Sequence, residues 1–149
     1  MMLNNSILDG GGNMAVIRLP PLKSQNMKDM RIVTAIANHA ALTQICGTWP
    51  SFRGAEMSAF RLASKDRNAS VEIDVRLAEV SRGCDVTLRF DYVDDIEVED
   101  WGHQNVLRNL LIEYDDDDKR FEVELPGSKG VSAEFRCLRI SVISAHART

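Results

Sequence analysis

Between residues 91 and 118 the chain carries eleven carboxylates: Asp91, Asp94, Asp95, Glu97, Glu99, Asp100, Glu113, Asp115, Asp116, Asp117 and Asp118. Only one base, Arg108, stands among them. Carboxylates at such density can trade protons, hold a hard cation, or dock a basic protein. Calcium binding needs alternating oxygen ligands, a central glycine and a closing glutamate. The run Asp115–Asp118 with Lys119 has none of these and reads as a solvated hairpin tip. Its electrostatic use, as a docking surface, is the functional reading.

Other chemistry is thin. Cys46, Cys84 and Cys137 are an odd number at wide spacings, with no CxxC pair and no Cys/His ligand cluster. They read as reduced, buried thiols of a cytoplasmic protein, not as a disulfide framework. No GxSxG, phosphate-cradling glycine loop or HExxH is present, so no enzyme, metal or cofactor is expected. A hydrolase with a scattered site would have to draw on His39, His103 or His146. In "WGHQNV", at Trp101–Val106, the amides of Gln104 and Asn105 suit an irregular connection whose backbone groups need partners.

The acidic segment carries −10, whereas the remainder, with seventeen bases and eleven acids, carries +6. Phosphates would be repelled from it, so nucleic acid is not an expected partner. A basic protein is. "IEVEDW", at Ile96–Trp101, interleaves Glu97 and Glu99 with Trp101, and acids beside an exposed aromatic suit a protein interface. If strands at 93–100 and 107–114 pair, both acidic groups reach one side of the molecule. No apolar run approaches the ~20 residues needed to cross a bilayer, so no membrane partner is expected. The N-terminus shows no secretory pattern.

The elements that must position these groups follow from hydrophobic period. Residues 1–26, with three consecutive glycines and a Pro-Pro pair, read as a loosely ordered lead, and 27–149 as one domain. From Lys28 to Cys46 the period is helical, with Met30, Val33, Ala37, Ala40 and Ala41 as the stripe, widened by Ile36 and Ile45. Gly47 is a natural C-terminal stop. After Pro50 the period becomes two: Val71, Ile73, Val75 and Leu77 share a face, as do Val86, Leu88, Phe90 and Tyr92, then Phe121, Val123 and Leu125. Weaker alternation marks Glu56–Leu62, Ile96–Trp101 and Val106–Tyr114. In "AEFRCLRISVIS" the phase shifts near Cys137 and Leu138, which predicts a β-bulge or bend. The fold class is α+β, mostly β: an antiparallel sheet of about seven strands, curled or sandwich-like, with one N-terminal amphipathic helix packed on it.

"TWPSFRGAEM", at Thr48–Met57, lies where the helical period ends and the strand period begins. Trp49 and Phe52 beside the rigid Pro50 are apolar anchors for this junction, and Gly54 permits a conformation that other residues resist. A second use would be a small-ligand or regulatory module, with Trp49, Phe52, His103 and Gln104 lining a pocket between helix and sheet.

Taken with "VTLRFDYVDDIEVEDWGHQNVL" and "FRCLRISVIS", the Trp49-Pro50-Ser51-Phe52 motif with Ala55-Glu56, and Gln104-Asn105, this chain resembles the immunity protein 50 family of bacterial polymorphic toxin systems over about 30–145. A His-Asp pair usual to that family after the phenylalanine is replaced here by Arg53-Gly54, which favours a packing role for the motif. The resemblance implies a non-enzymatic protein that binds and masks a cognate toxin. The partner expected on charge is a basic toxin domain, met by Asp91, Asp94, Asp95, Glu97, Glu99, Trp101 and Asp115–Asp118.

Overall fold

The computed structural model describes residues 30–77 and 83–148. The expected loose lead, 1–26, lies outside the described residues. Helix α1 runs His39–Cys46. Ten strands follow: β1 Glu56–Lys65, β2 Asn68–Leu77, β3 Cys84–Asp91, β4 Asp94–Glu99, β5 Val106–Leu107, β6 Leu111–Asp115, β7 Arg120–Leu125, β8 Gly127–Lys129, β9 Ser132–Cys137 and β10 Arg139–Ala147. They form a six-stranded sheet in the order β10-β3-β2-β1-β5-β8 and a four-stranded sheet in the order β4-β9-β7-β6. Every strand pair is antiparallel.

The alternation of period two fixes the faces. Val71, Ile73, Val75 and Leu77 of β2, Val86, Leu88 and Phe90 of β3, and Ile140 and Val142 of β10 are buried. From the other sheet Phe121, Val123 and Leu125 of β7, and Ala133, Phe135 and Cys137 of β9, meet them in one apolar cluster. Phe90 and Phe135 cross between the sheets edge to face, with ring centroids 5.0 Å apart. That contact marks the middle of a two-layer β-sandwich.

Two strand pairs serve both sheets. The β3–β10 pair turns a corner and continues as the β4–β9 pair; the chain switches sheets at Tyr92-Val93 and again at Leu138. The β5–β8 pair likewise continues as β6–β7, through Pro126 on one side. The phase shift expected near Cys137 and Leu138 is therefore a change of sheet. Leu138 donates its N–H to the Asp91 carbonyl at 3.0 Å, tying the two corner crossings together.

Three expectations are corrected. The helix does not run unbroken from Lys28 to Cys46: residues 30–35 are helical, 36–38 leave the helix, and α1 then begins. Ala37 gives its N–H to the Ile140 carbonyl and takes the Val142 N–H, both at 2.9 Å, so it caps the open edge of β10. Asn38 assumes a left-handed φ of 62° and its amide donates to the Val142 carbonyl at 3.0 Å. Edge protection outweighs helix propensity, and Ile36 and Leu42, not Ala37 and Ala40, are buried. Tyr92 does not continue the apolar face of β3; its φ of 56° turns the chain outward, where Arg139 sits 5.5 Å from its ring centroid. Val106–Tyr114 is not one strand but β5 and β6, divided by the second corner.

The Thr48–Met57 stretch makes the junction between α1 and β1. Gly47 closes α1 with a φ of 84° and its N–H on the Thr43 carbonyl at 2.7 Å. Phe52 is buried, and its ring lies 5.8 Å from that of Trp49. Gly54, at a φ of 79°, donates to Leu107, and Met57 donates to Asn105, both at 2.8 Å.

Truncating Phe90→Ala should cost about 3–5 kcal/mol, because it removes a fully buried ring that spans the two layers and leaves a void between them. Urea unfolding reads this as a lower midpoint at unchanged slope; a loss below ~1 kcal/mol would mean that the sheets do not meet there.

Candidate functional site

The two outer sheet faces treat charge differently. On the six-stranded sheet, acids and guanidinium groups alternate across strands. Arg61 of β1 grips Asp74 of β2 through two bonds of 2.8 and 2.9 Å and reaches Glu72 at 3.2 Å. Arg89 of β3 meets Asp91 at 3.0 Å and Glu72 at 3.6 Å. Arg76 and Arg148 approach Asp85 at 3.4 and 3.9 Å. The Arg61 bonds, followed by the hydroxyl of Thr87 at 2.8 Å, hold the Asp74 carboxyl below its ordinary range against the opposing effect of burial. This face is a compensated ladder.

The four-stranded sheet leaves its glutamates on the outer face without such compensation. Glu97 of β4 stands opposite Glu134 of β9, Glu134 opposite Glu124 of β7, and Glu124 opposite Leu111 of β6. Three carboxylates thus lie in one cross-strand row. In the next row Asp94, Arg136, Glu122 and Glu113 follow one another. Glu97, Glu99, Glu113, Glu122, Glu124 and Glu134 are all exposed, and none has an ion-pair partner among the described residues. Like charges directly opposite in a sheet are destabilising, by up to about 1 kcal/mol per pair before screening.

The aspartates of the acidic segment serve other ends. Asp91 is buried, where its carboxylate accepts from Arg89 at 3.0 Å and from the Asn68 amide at 3.2 Å. Asp94 pairs with Arg120 at 3.2 Å. Arg136 draws together Asp95 at 3.9 Å, Asp115 at 3.6 Å and Asp118. Asp95 and Asp100 take left-handed φ values of 54° and 63°, a conformation that aspartate tolerates better than most residues. Asp115 accepts the N–H groups of Asp117 and Asp118 at 3.0 and 3.2 Å and so shapes the β6–β7 turn. Asp116 and Asp117 remain exposed at its tip, and Trp101 is exposed beyond the end of β4.

The segment of charge −10 is consequently not a surface of −10. Arg120 and Arg136, which lie beyond the segment in sequence, partly neutralise its aspartates by pairing with Asp94, Asp95, Asp115 and Asp118. Glu122, Glu124 and Glu134, counted in sequence among the basic remainder, extend its glutamate end. These three escaped the sequence reading, although "FEVEL" and "AEFRC" each place glutamates on the polar side of a strand. The condition considered from sequence, that strands at 93–100 and 107–114 pair, is not met: β4 and β6 are the opposite edges of one sheet, with β9 and β7 between them.

"WGHQNV" turns only Asn105 fully inward, while Trp101, Gly102, His103 and Gln104 are exposed. Asn105 is buried; its Oδ1 accepts from Gly102 and Val131, and its amide donates to the Gly102 carbonyl, all at 3.0 Å. Gly130 packs so closely that a Cβ there would stand 2.3 Å from the Gln104 carbonyl. His103 and Gln104 are exposed, whereas Phe52 is spent in the core. His39 opens α1 and His146 pairs in register with Asp85 on β3, so the three histidines sit on separate elements. Among the described residues, no group of three or more His, Cys, Asp or Glu side chains is arranged to hold a metal ion, and no helix is long and apolar enough to cross a membrane.

The model of the immunity protein 50 family matches residues 38–147. The chain belongs to that family. Neither the curated proteins nor the solved structures provide a match. The immunity protein 50 match opens at Asn38, where the left-handed break precedes α1, and closes on the last residue of β10. It therefore spans α1, both sheets and the carboxylate face.

Two measurements probe the contrast between the faces. Neutralising the middle of the row by Glu124→Gln should raise stability by a few tenths to about 1 kcal/mol at low salt, and less at 1 M salt. Lost stability would mean that the row is compensated. On the other face, Asp74 keeps its charge to lower pH folded than unfolded, so the stability it contributes is full above about pH 4 and disappears as pH falls through its lowered value. Asp74→Asn should therefore flatten the acid limb of stability against pH, while costing under ~1 kcal/mol at neutral pH because the pair is partly exposed.

Proposed function

We propose that this chain neutralises a cognate toxin by binding and masking it, and that the carboxylate face of the four-stranded sheet is the binding surface. The observation that carries the reading is the row Glu97–Glu134–Glu124. The same fold pairs nearly every acid on its other outer face, so an unpaired row is not forced by the architecture. Its cost is repaid when a cationic surface supplies the missing partners. Leu111 gives the row an apolar end, and with Trp101 at the opposite edge it supplies desolvated contact beside the charges.

The partner that fits is a basic toxin domain. Opposite potentials speed the encounter, and masking asks no bond-making of the immunity protein. Family membership supports the immunity role. The arrangement of acids supports the choice of face, and it moves the centre of the proposed interface from the aspartates to the glutamates. Asp91, buried in its own ion pair, is not part of it.

The test is capture from the source bacterium's lysate and secreted fraction, with the whole chain as bait and the triple variant Glu97→Lys/Glu124→Lys/Glu134→Lys as control. A basic toxin domain should bind the original chain, and the variant should associate at least ~10-fold more slowly with a flattened salt dependence. Equal binding by a variant that retains its β-sheet circular dichroism would place the interface elsewhere on the molecule and leave the immunity role standing.

A further inference from the structure

Cys46 is the last residue of α1 and Cys84 the first of β3. The sequence separates them widely, but the fold does not. Helix α1 packs along β10, and Cys84 is paired in register with Ala147 of that strand. The two thiols are near enough for each to act on the titration of the other. Cys84 is buried in the core cluster, while Cys46 is half-buried and packs against that cluster from its edge. A disulfide needs two β-carbons facing each other about 4 Å apart, so closing the bond asks for a small movement at the end of α1. Gly47, whose Cβ position faces open space, follows Cys46 directly and leaves the end of the helix room to adjust.

We propose that Cys46 and Cys84 are a redox-active pair that closes to an intramolecular disulfide. The oxidant is a small-molecule disulfide, of which oxidised glutathione is the usable probe. The accessible Cys46 thiolate attacks one sulfur of the reagent and expels one thiolate, forming a mixed disulfide. The Cys84 thiolate then attacks the Cys46 sulfur, forms the Cys46–Cys84 bond and releases the second thiolate. Two electrons pass from the protein thiols to the reagent, and the two thiol protons go to solvent or to the departing thiolates. The inference is independent of the proposed toxin interface.

The product is a clamp. The new bond joins the end of α1 to the first residue of β3 and encloses the whole β1–β2 hairpin in one covalent loop. It fixes the start of the Trp49–Phe52 junction, which leaves α1 immediately beyond Cys46. Burial is the main cause holding both thiols above the ordinary cysteine value; the Asp85 carboxylate adds to this at Cys84, and a hydrogen bond from the His146 backbone opposes it. The pair is consequently slow to react at neutral pH. The third thiol is an internal control: Cys137 lies on the other sheet beside the Leu138 corner, at the far end of β3, and burial pushes it up to about 12.

The experiment treats the purified full chain with oxidised glutathione and follows intact mass, a non-reducing peptide map and thermal unfolding. The expected product has lost two hydrogens, contains one cross-linked peptide joining Cys46 to Cys84, and melts higher by on the order of 10 °C, reversibly with dithiothreitol. Cys137→Ser should behave like the original chain. Cys46→Ser carries the negative control, since Cys84 lies in the core and its replacement would disturb packing; Cys46→Ser should yield no cross-link and no shift. A glutathione adduct that persists on Cys46, dimers linked through Cys46, or two thiols that stay reduced in the folded chain while reacting in urea would each overturn the proposal.

Discussion

The structure depends on the corner at Asp91 and Leu138. There the β3–β10 pair leaves the large sheet and re-forms as β4–β9 in the small one, and the Leu138 N–H bonded to the Asp91 carbonyl holds the two crossings in step. The Asp91 carboxylate is buried at the bend and compensated by Arg89 and Asn68, because an unpaired charge there would be expensive. Asn68 also accepts the Tyr92 N–H at 2.8 Å, fixing the first left-handed residue after β3. With the corner closed, Phe135 faces Phe90 and both sheets share one core. If the corner opened, β4 and β9 would have no layer to pack against.

The same corner decides what the acidic segment presents to solvent. Once β9 and β7 are placed between β4 and β6, residues distant along the chain become cross-strand neighbours. Arg120 and Arg136 fall beside Asp94, Asp95, Asp115 and Asp118 and offset part of their charge. Glu134 and Glu124 fall beside Glu97 and intensify it. The surface potential of the four-stranded sheet is therefore a product of strand order, and the net charge of residues 91–118 describes it poorly. The contrast with the compensated ladder on the other sheet gives the glutamate row its weight, since both faces are built from the same strand chemistry.

Several features were legible because they rest on local rules. Alternation at Val71–Leu77, Val86–Phe90 and Phe121–Leu125 assigned the buried face of three strands, since period two admits only one partition of side chains once one face is buried. Gly47 and the Trp49–Gly54 junction followed from the change of period. The phase shift beside Leu138 was visible, although its cause, a change of sheet, was not. The helix across 36–38 misled because local propensity there is good; only the open edge of β10, contributed by the far end of the chain, makes Ala37 more useful as a bridge than as a helical turn.

The sequence by itself determined the class of the protein: a mostly β domain with its helical residues ahead of the strands, family motifs around Trp49 and Asn105, and a chain without a recognisable catalytic or metal signature. These depend on neighbouring residues and on spacings that do not require knowing which strand lies beside which. The tertiary structure alone decided the rest: which carboxylates stay unpaired, that Asp91 turns inward to brace the corner, and that Cys46 comes near Cys84. Each of those is a contact between residues far apart in the chain. Such contacts are set by pairing order and by the corners that join the sheets, and hydrophobic period carries no information about either.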